Sequence, residues 1–166
     1  MAIPKKISNY LDLKKYKYQI IGHRTTFTAW DTAQTEKVKP QQVAKALVMK
    51  ADNDYLLAMV PSNRNLDKQK LLKAINARRK KNKEKLFKKI DFAKELWMKK
   101  NLPGKVGATP PFQEILKLDV YADGLLLKNK KIYVGSGEYT ESLLINTSQY
   151  VKIENPVKGS FSKAKK

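Results

Sequence analysis

Residues 41–61, QQVAKALVMKADNDYLLAMVP, contain two apolar runs, 44–49 and 55–60, on either side of Ala51-Asp52-Asn53-Asp54. Short runs bounded by turn formers read as two strands joined by a tight connection. Neither run alternates apolar with polar residues, as a half-solvated strand would. The pair is therefore expected inside a sheet covered on both faces. One residue breaks the pattern. Lys45 stands between Ala44 and Ala46 and shares its side of the strand with Val43 and Leu47. Its ammonium must either snorkel to solvent along its stem or meet an anion or carbonyl in a pocket, because an unpaired buried charge is costly.

The other elements can be placed around this hairpin. A strand is expected at 18–22, ending at His23-Arg24. A helix follows, capped by Thr28 with Asp31 three residues on. Pro40 suits the first turn of a short helix that leads into the central strand. A helix over 66–77, with Asn65 as its cap, carries Leu66, Leu71, Leu72 and Ile75 at helical spacing. Asp91 is read as the cap of another helix, with Phe92, Leu96 and Trp97 inward, which must stop at Leu102-Pro103-Gly104. Two glycines and two prolines then crowd residues 104–112, which suits either a shaped pocket loop or a plain crossover. Strands at 118–122 and 131–134 follow, with turns at Asp123-Gly124 and Asn129-Lys130. Gly135-Ser136-Gly137 leads into 143–145, and Thr147 caps a last turn containing Tyr150. The domain reading is a basic segment at 1–16, a folded body at 17–157, and a basic, disordered tail at 158–166.

Composition narrows the chemistry. The 166 residues suit one domain. With no cysteine and one histidine, disulfides, thiolate metal sites, a cysteine nucleophile and His-ligand clusters are excluded. No metal or cofactor is called for, and the cytoplasm is the expected compartment. No apolar run approaches the ~20 residues of a membrane span, and the lysines of the N-terminus precede no apolar signal region. The formal charge is +20, from 35 Lys+Arg against 15 Asp+Glu. Such an excess favours polyanions, nucleic acid first and an anionic membrane surface second. Residues 68–89 hold eleven bases and one acid, Glu84. Solvated helix faces normally mix signs, so Arg78, Arg79, Lys80, Lys81 and Lys83 are candidate RNA contacts.

Taken in order, HRTTFTAWDTA, PQQVAKALVMK, YLLAMVPSNRNLDKQKLLKAI, GATPPF and IYVGSGEYTESLLI resemble the YbaK/ProX family of trans-acting aminoacyl-tRNA deacylases. These proteins are freestanding counterparts of the editing domain of bacterial prolyl-tRNA synthetases. The resemblance covers roughly residues 17–151. It implies an α/β fold, a mixed curled β-sheet wrapped by helices, with a pocket for the aminoacylated 3′ end of tRNA. An aminoacyl-tRNA synthetase is a further partner it allows. By the same resemblance Lys45 matches the functional lysine of a V-x-K motif. Gly107, with Pro110 beyond it, matches the loop that shapes the amino-acid pocket through its backbone. His23, Phe27 and Thr28 match an H-x-x-x-[FY]-[TS] stretch beside the substrate, and Gly135 and Gly137 match a late glycine turn. The chain departs from the family at Ala46, Gln113 and Tyr139-Thr140-Glu141, which leaves the edited amino acid open.

An aminoacyl ester is already activated and has a vicinal ribose hydroxyl. Orientation plus stabilisation of the developing oxyanion by backbone N–H groups and one ammonium can suffice. The resemblance implies no protein nucleophile: a substrate thiol, the ribose hydroxyl or water attacks. The competing readings are a deacylase for Cys-, Ala- or Ser-tRNA, a non-catalytic RNA-binding module on the same fold, and a membrane-surface protein. No amphipathic helix with a strong aromatic face supports the third.

Overall fold

The computed structural model describes residues 3–165, with helices and strands numbered in chain order. Residues 1, 2 and 166 of the two expected basic terminal segments lie outside the described residues. Strands β2 (Ala44–Ala51) and β3 (Asp54–Pro61) form the expected antiparallel hairpin. Asp52 adopts the positive φ, 52°, that its turn requires. Side chains of the hairpin alternate between two cores. Val48, Leu57 and Met59 join one core with Phe112, Leu126 and Tyr150. Met49, Leu56, Ala58 and Val60 join the other with Leu71, Ile75 and Phe161. Both faces are covered, as the unbroken apolar runs require.

Before the hairpin come α1 (Lys5–Leu13), β1 (Tyr18–Gly22), α2 (Ala29–Glu36) and a 3-10 turn at Pro40–Gln42. After it come β4 (Arg64–Leu66), α3 (Lys68–Lys81), β5 (Ile90–Phe92) and α4 (Glu95–Asn101). The chain continues through α5 (Gln113–Leu116), β6 (Asp119–Asp123), α6 (Gly124–Leu127), β7 (Lys131–Gly135) and β8 (Glu141–Asn146). It closes with α7 (Thr147–Glu154), β9 (Val157–Gly159) and β10 (Ser162–Ala164). The fold is mixed α/β. Its main sheet runs β5-β2-β3-β6-β9, antiparallel on the β2 side and parallel from β3 to β9. An antiparallel β1-β8-β7 sheet and a β10-β4 pair stand beside it. A bridge between Val43 and Tyr133 links the main sheet to the second. Among the described residues no helix is long and apolar enough to cross a membrane.

Several local expectations need correction. Thr28 does cap α2, accepting from the Asp31 N–H at 3.1 Å. The cap of α3 is Asp67, which accepts from the Lys70 N–H. Asn65 instead lies in β4, opposite Lys163. Asp91 caps nothing. It sits in β5, and the helix begins later, with Phe92 and Leu96 pointing outward. Hydrophobic periodicity could not see this, because Phe92 belongs to a strand and not to the helix. At Asp123-Gly124 there is no simple turn but the start of α6, and Asn146 rather than Thr147 caps the last helix.

The largest correction concerns the tail. Residues 158–166 were expected to be disordered on composition, yet up to residue 165 they are built into the fold. β9 pairs with β6 and β10 pairs with β4. Phe161 between them is fully buried, edge-on to Tyr121. Its N–H donates to Asp123 and its carbonyl accepts from the Asp67 N–H at 2.7 Å. One aromatic side chain with satisfied backbone groups outweighs the polar composition around it. Phe161→Ala should therefore cost about 3–5 kcal/mol, the range for emptying a buried phenylalanine site. Urea denaturation measures this directly, and an unchanged midpoint would mean the tail is not anchored.

Candidate functional site

On one side β2 is paired with β3 along its length. On the other it has β5 only at residues 49–51, and the Val43 bridge at its start. Residues 44–47 thus present a strand edge with no strand partner among the described residues. A cavity of about 400 Å³ lies against this edge, and all four residues line it. Both faces of the pleat reach the cavity because it meets the strand side-on. Phe27, Thr28 and Trp30, at the entry to α2, form one flank. Gly107, Thr109 and Gly135 form a wall that adjoins this flank, with Gly107 directly against the Phe27 backbone.

That wall needs glycine for two separate reasons. Gly107 has φ +91°, and a Cβ there would strike the Phe27 carbonyl oxygen. A Cβ on Gly135 would come within 2.5 Å of the Thr109 oxygen and 2.6 Å of the Ala108 oxygen. The loop is braced from behind. Tyr150 donates its hydroxyl to the Pro111 carbonyl at 2.6 Å, and Phe112 is fully buried. The Gly137 N–H donates to the Ala108 carbonyl at 2.7 Å, and Pro110 is buried next to Gly104. Gly137 and Pro110 therefore support the loop without lining the cavity. The loop is shaped, and is no plain crossover.

Lys45 enters the cavity half-buried. Its ammonium is 3.5 Å from Asn65 Oδ1, and its pKa is lowered, first by burial and then by the charge of Lys165. Lys165 itself lines the cavity, 4.3 Å above the Trp30 ring. Sequence reading missed both Trp30 and Lys165. Trp30 carried a signal, as a large aromatic beside the Phe27-Thr28 pair. Lys165 carried none, being one of many bases in a tail whose composition reads as disordered.

His23 does not line this cavity. It lines a second, polar space of about 30 Å³ that shares Gly107 and Gly135 with the first, with Thr26, Glu138 and Ser142. Its Nδ1 lies 2.7 Å from the Arg24 carbonyl, which can only accept, so Nδ1 carries the proton. Nε2 lies 2.9 Å from the Ser142 hydroxyl. Both nitrogens of the only imidazole in the chain are thus engaged within the fold.

The basic block divides in two. Arg78 pairs with Asp119 and donates to the Tyr121 hydroxyl. Arg79 pairs with Glu84, donates to the Lys85 carbonyl and stacks 4.0 Å over Phe87. Lys80, Lys81 and Lys83 are exposed, at or just beyond the far end of α3, about 20 Å along the helix from its start.

Residues 23–153 match the model of the aminoacyl-tRNA editing domain. No curated protein sequence matches the chain. Among solved structures, the hypothetical protein APE2540 superposes with a TM-score of 0.79 at 16% identity, covering 95% of this chain and 99% of its own. A candidate trans-editing enzyme for prolyl tRNA synthetase superposes with a TM-score of 0.80 at 15% identity, over 96% of both chains. At such identities the likeness is one of fold.

The lowered pKa of Lys45 fixes the sign of a pH effect. Below its folded-state pKa, the charged form costs stability. Between that value and the ordinary lysine value near ~10.4, the unfolded chain binds more protons, so stability rises with pH. Lys45→Met should melt higher at neutral pH and lack that alkaline rise. Thermal melts of both proteins from neutral to alkaline pH test this. Parallel curves would place the ammonium fully in water.

Proposed function

This chain belongs to the aminoacyl-tRNA editing domain family, and from that premise we propose that it hydrolyses the ester of mischarged tRNA in trans. The observation that carries the reading is a half-buried ammonium and a glycine wall lining one cavity, about 400 Å³, large enough for an aminoacyl-adenosine end. Water adds to the ester carbonyl, the ribose oxygen leaves with a proton, and free amino acid and tRNA result. Lys45 holds the terminal phosphate or the carbonyl as negative charge develops, and backbone groups of the loop bound the amino-acid side. Phe27 and Trp30 give the base an aromatic flank. Cysteine, alanine and serine are the proposed amino acids, since a braced backbone wall rejects larger side chains sterically. The proposed setting is the cytoplasm, with the tRNA acceptor end as partner and an aminoacyl-tRNA synthetase as a further one.

Single-turnover deacylation of Cys-, Ala- and Ser-tRNA-Pro, with Pro-tRNA-Pro as control, tests the activity. Lys45→Ala should lose about 2–4 kcal/mol of transition-state stabilisation, roughly 30- to 1,000-fold in rate, while its melting point holds or rises. Lys45→Arg should rescue only partly, because a planar fork does not replace a point charge. An active, stable Lys45→Ala variant would sink the mechanism. No turnover on any member of the panel, with tRNA still bound, would favour the non-catalytic RNA-binding module.

The proposed tRNA-binding role of the basic block has its own test. Changing Lys80, Lys81 and Lys83 to Gln should lower the slope of log affinity against log salt by up to about 1 for each phosphate no longer neutralised. Arg78 and Arg79 also hold internal contacts, so their removal should lower stability too. An unchanged salt slope would make the three lysines a solvated face.

A further inference from the structure

At the opposite end of β2 from the Lys45 cavity, a groove of about 580 Å³ opens between the hairpin, β5 and α4. Lys45 and Lys50 are about 16 Å apart along the strand, and the groove shares no lining residue with the first cavity. Its apolar surface comes from Phe92, Leu96 and the Tyr55–Trp97 pair. The pair is stacked with centroids 3.5 Å apart and planes 6° from parallel. Phe92 is 50% exposed and Leu96 79%, so the fold does not use them as core. Lys50, Lys89, Lys94 and Lys100 also line it.

The two acids of the groove are already engaged. Asp52 accepts from the backbone N–H groups of Lys88 and Lys89, and Asp91 accepts from the Phe92 N–H and pairs with Lys68. Both carboxylates stay ionised, held low chiefly by these backbone hydrogen bonds, and they fix the strand that presents Phe92. The Lys68 ammonium lies 5.3 Å over the Phe92 ring.

We propose that this groove binds unpaired nucleotides of RNA, with bases stacked on Phe92 and the Tyr55–Trp97 platform and phosphates neutralised by the lysines. An aromatic floor between ammonium groups is the composition that takes single-stranded nucleic acid without strong sequence preference. An apolar protein segment would have to desolvate those ammonium groups and leave them unneutralised. A phosphodiester chain neutralises them. The proposal rests on the reading of the chain as a tRNA-binding protein and gives unpaired acceptor-end nucleotides a second platform beyond the Lys45 cavity.

The test reads binding, not turnover. Trp30 and Trp97 are the two tryptophans, so in a Trp30→Phe background Trp97 reports alone. A short unpaired oligoribonucleotide should quench its fluorescence, and the same sequence annealed into a duplex should compete poorly. Phe92→Ala, at an exposed position, should weaken binding about 5- to 150-fold, the worth of one base–aromatic stack. Lys94→Gln with Lys100→Gln should reduce the salt slope by about 0.7 for each phosphate no longer neutralised. The lysine variants keep the test decisive if Phe92→Ala folds poorly. Unmoved Trp97 emission at saturation, or unchanged affinity in both sets of variants, overturns the proposal. So does quenching by an apolar peptide without quenching by the oligoribonucleotide. Quenching that survives in a protein inactive on every mischarged tRNA supports the groove and defeats only the deacylase reading.

Discussion

The open edge of β2 is the constraint on which the candidate site depends. A strand edge presents unpaired N–H and C=O groups and is ordinarily blunted by charge or covered. Here the edge is bounded by the Val43 bridge and by β5, and a lysine stands on the interval between them. Two cores fix the hairpin on both faces, so the strand cannot slip without moving every side chain to the wrong side. The lysine's position is therefore set by the burial of residues such as Val48 and Met49. A charge that the core cannot accommodate becomes a charge directed at whatever lies beside the edge.

The glycine wall of the cavity is held by a different kind of interaction. Glu154 is buried, and its carboxylate accepts from the Tyr10 hydroxyl at 2.6 Å, the Tyr16 hydroxyl at 2.8 Å and the Gln113 N–H at 2.9 Å. Gln113 also donates its side-chain amide to the Glu154 carbonyl. Burial, reinforced by Glu154, raises both phenols well above the ordinary tyrosine range, so they remain donors throughout the working pH range. The arrangement joins the N-terminal segment, the last helix and the end of the 104–112 loop. It gives Gln113 a structural task. Removing one partner would leave a buried charge underpaired, which costs more than the pair itself contributes.

Much of this was legible in the sequence where one local rule sufficed. The two apolar runs, the Thr28 cap, the Pro40 turn and the stop at Leu102-Pro103-Gly104 each follow from a few neighbouring residues. What was not legible depended on pairings distant in sequence. Asn65 looked like a cap because its pairing with Lys163 could not be seen. Phe92 and Leu96 looked like core because nothing local shows a strand end between Ile90 and Phe92. The tail looked disordered because composition averages over Phe161, while its burial depends on Tyr121 and Asp123. Around the cavity, Lys45, Phe27, Thr28, Gly107 and Gly135 do converge. The structure puts His23 on the neighbouring polar space and Lys165 on the cavity, neither of which spacing along the chain could indicate.

The distribution of charge follows the same division. Arg78, Arg79 and Lys105 are held by acids or ring faces within the fold. Their contribution to the +20 is therefore partly internal structure. Lys45 is different, since Lys165 worsens its setting: the tail brings a second ammonium to a cavity that already disfavours the first. Such a pair is costly in the free protein and is relieved when an anion enters, so the repulsion becomes binding free energy for a phosphate-bearing ligand. Under the proposed reading, the anchored tail therefore has an electrostatic role. By burying Phe161 the fold holds Lys165 over Trp30, and so keeps the cavity short of negative charge until the acceptor end supplies it.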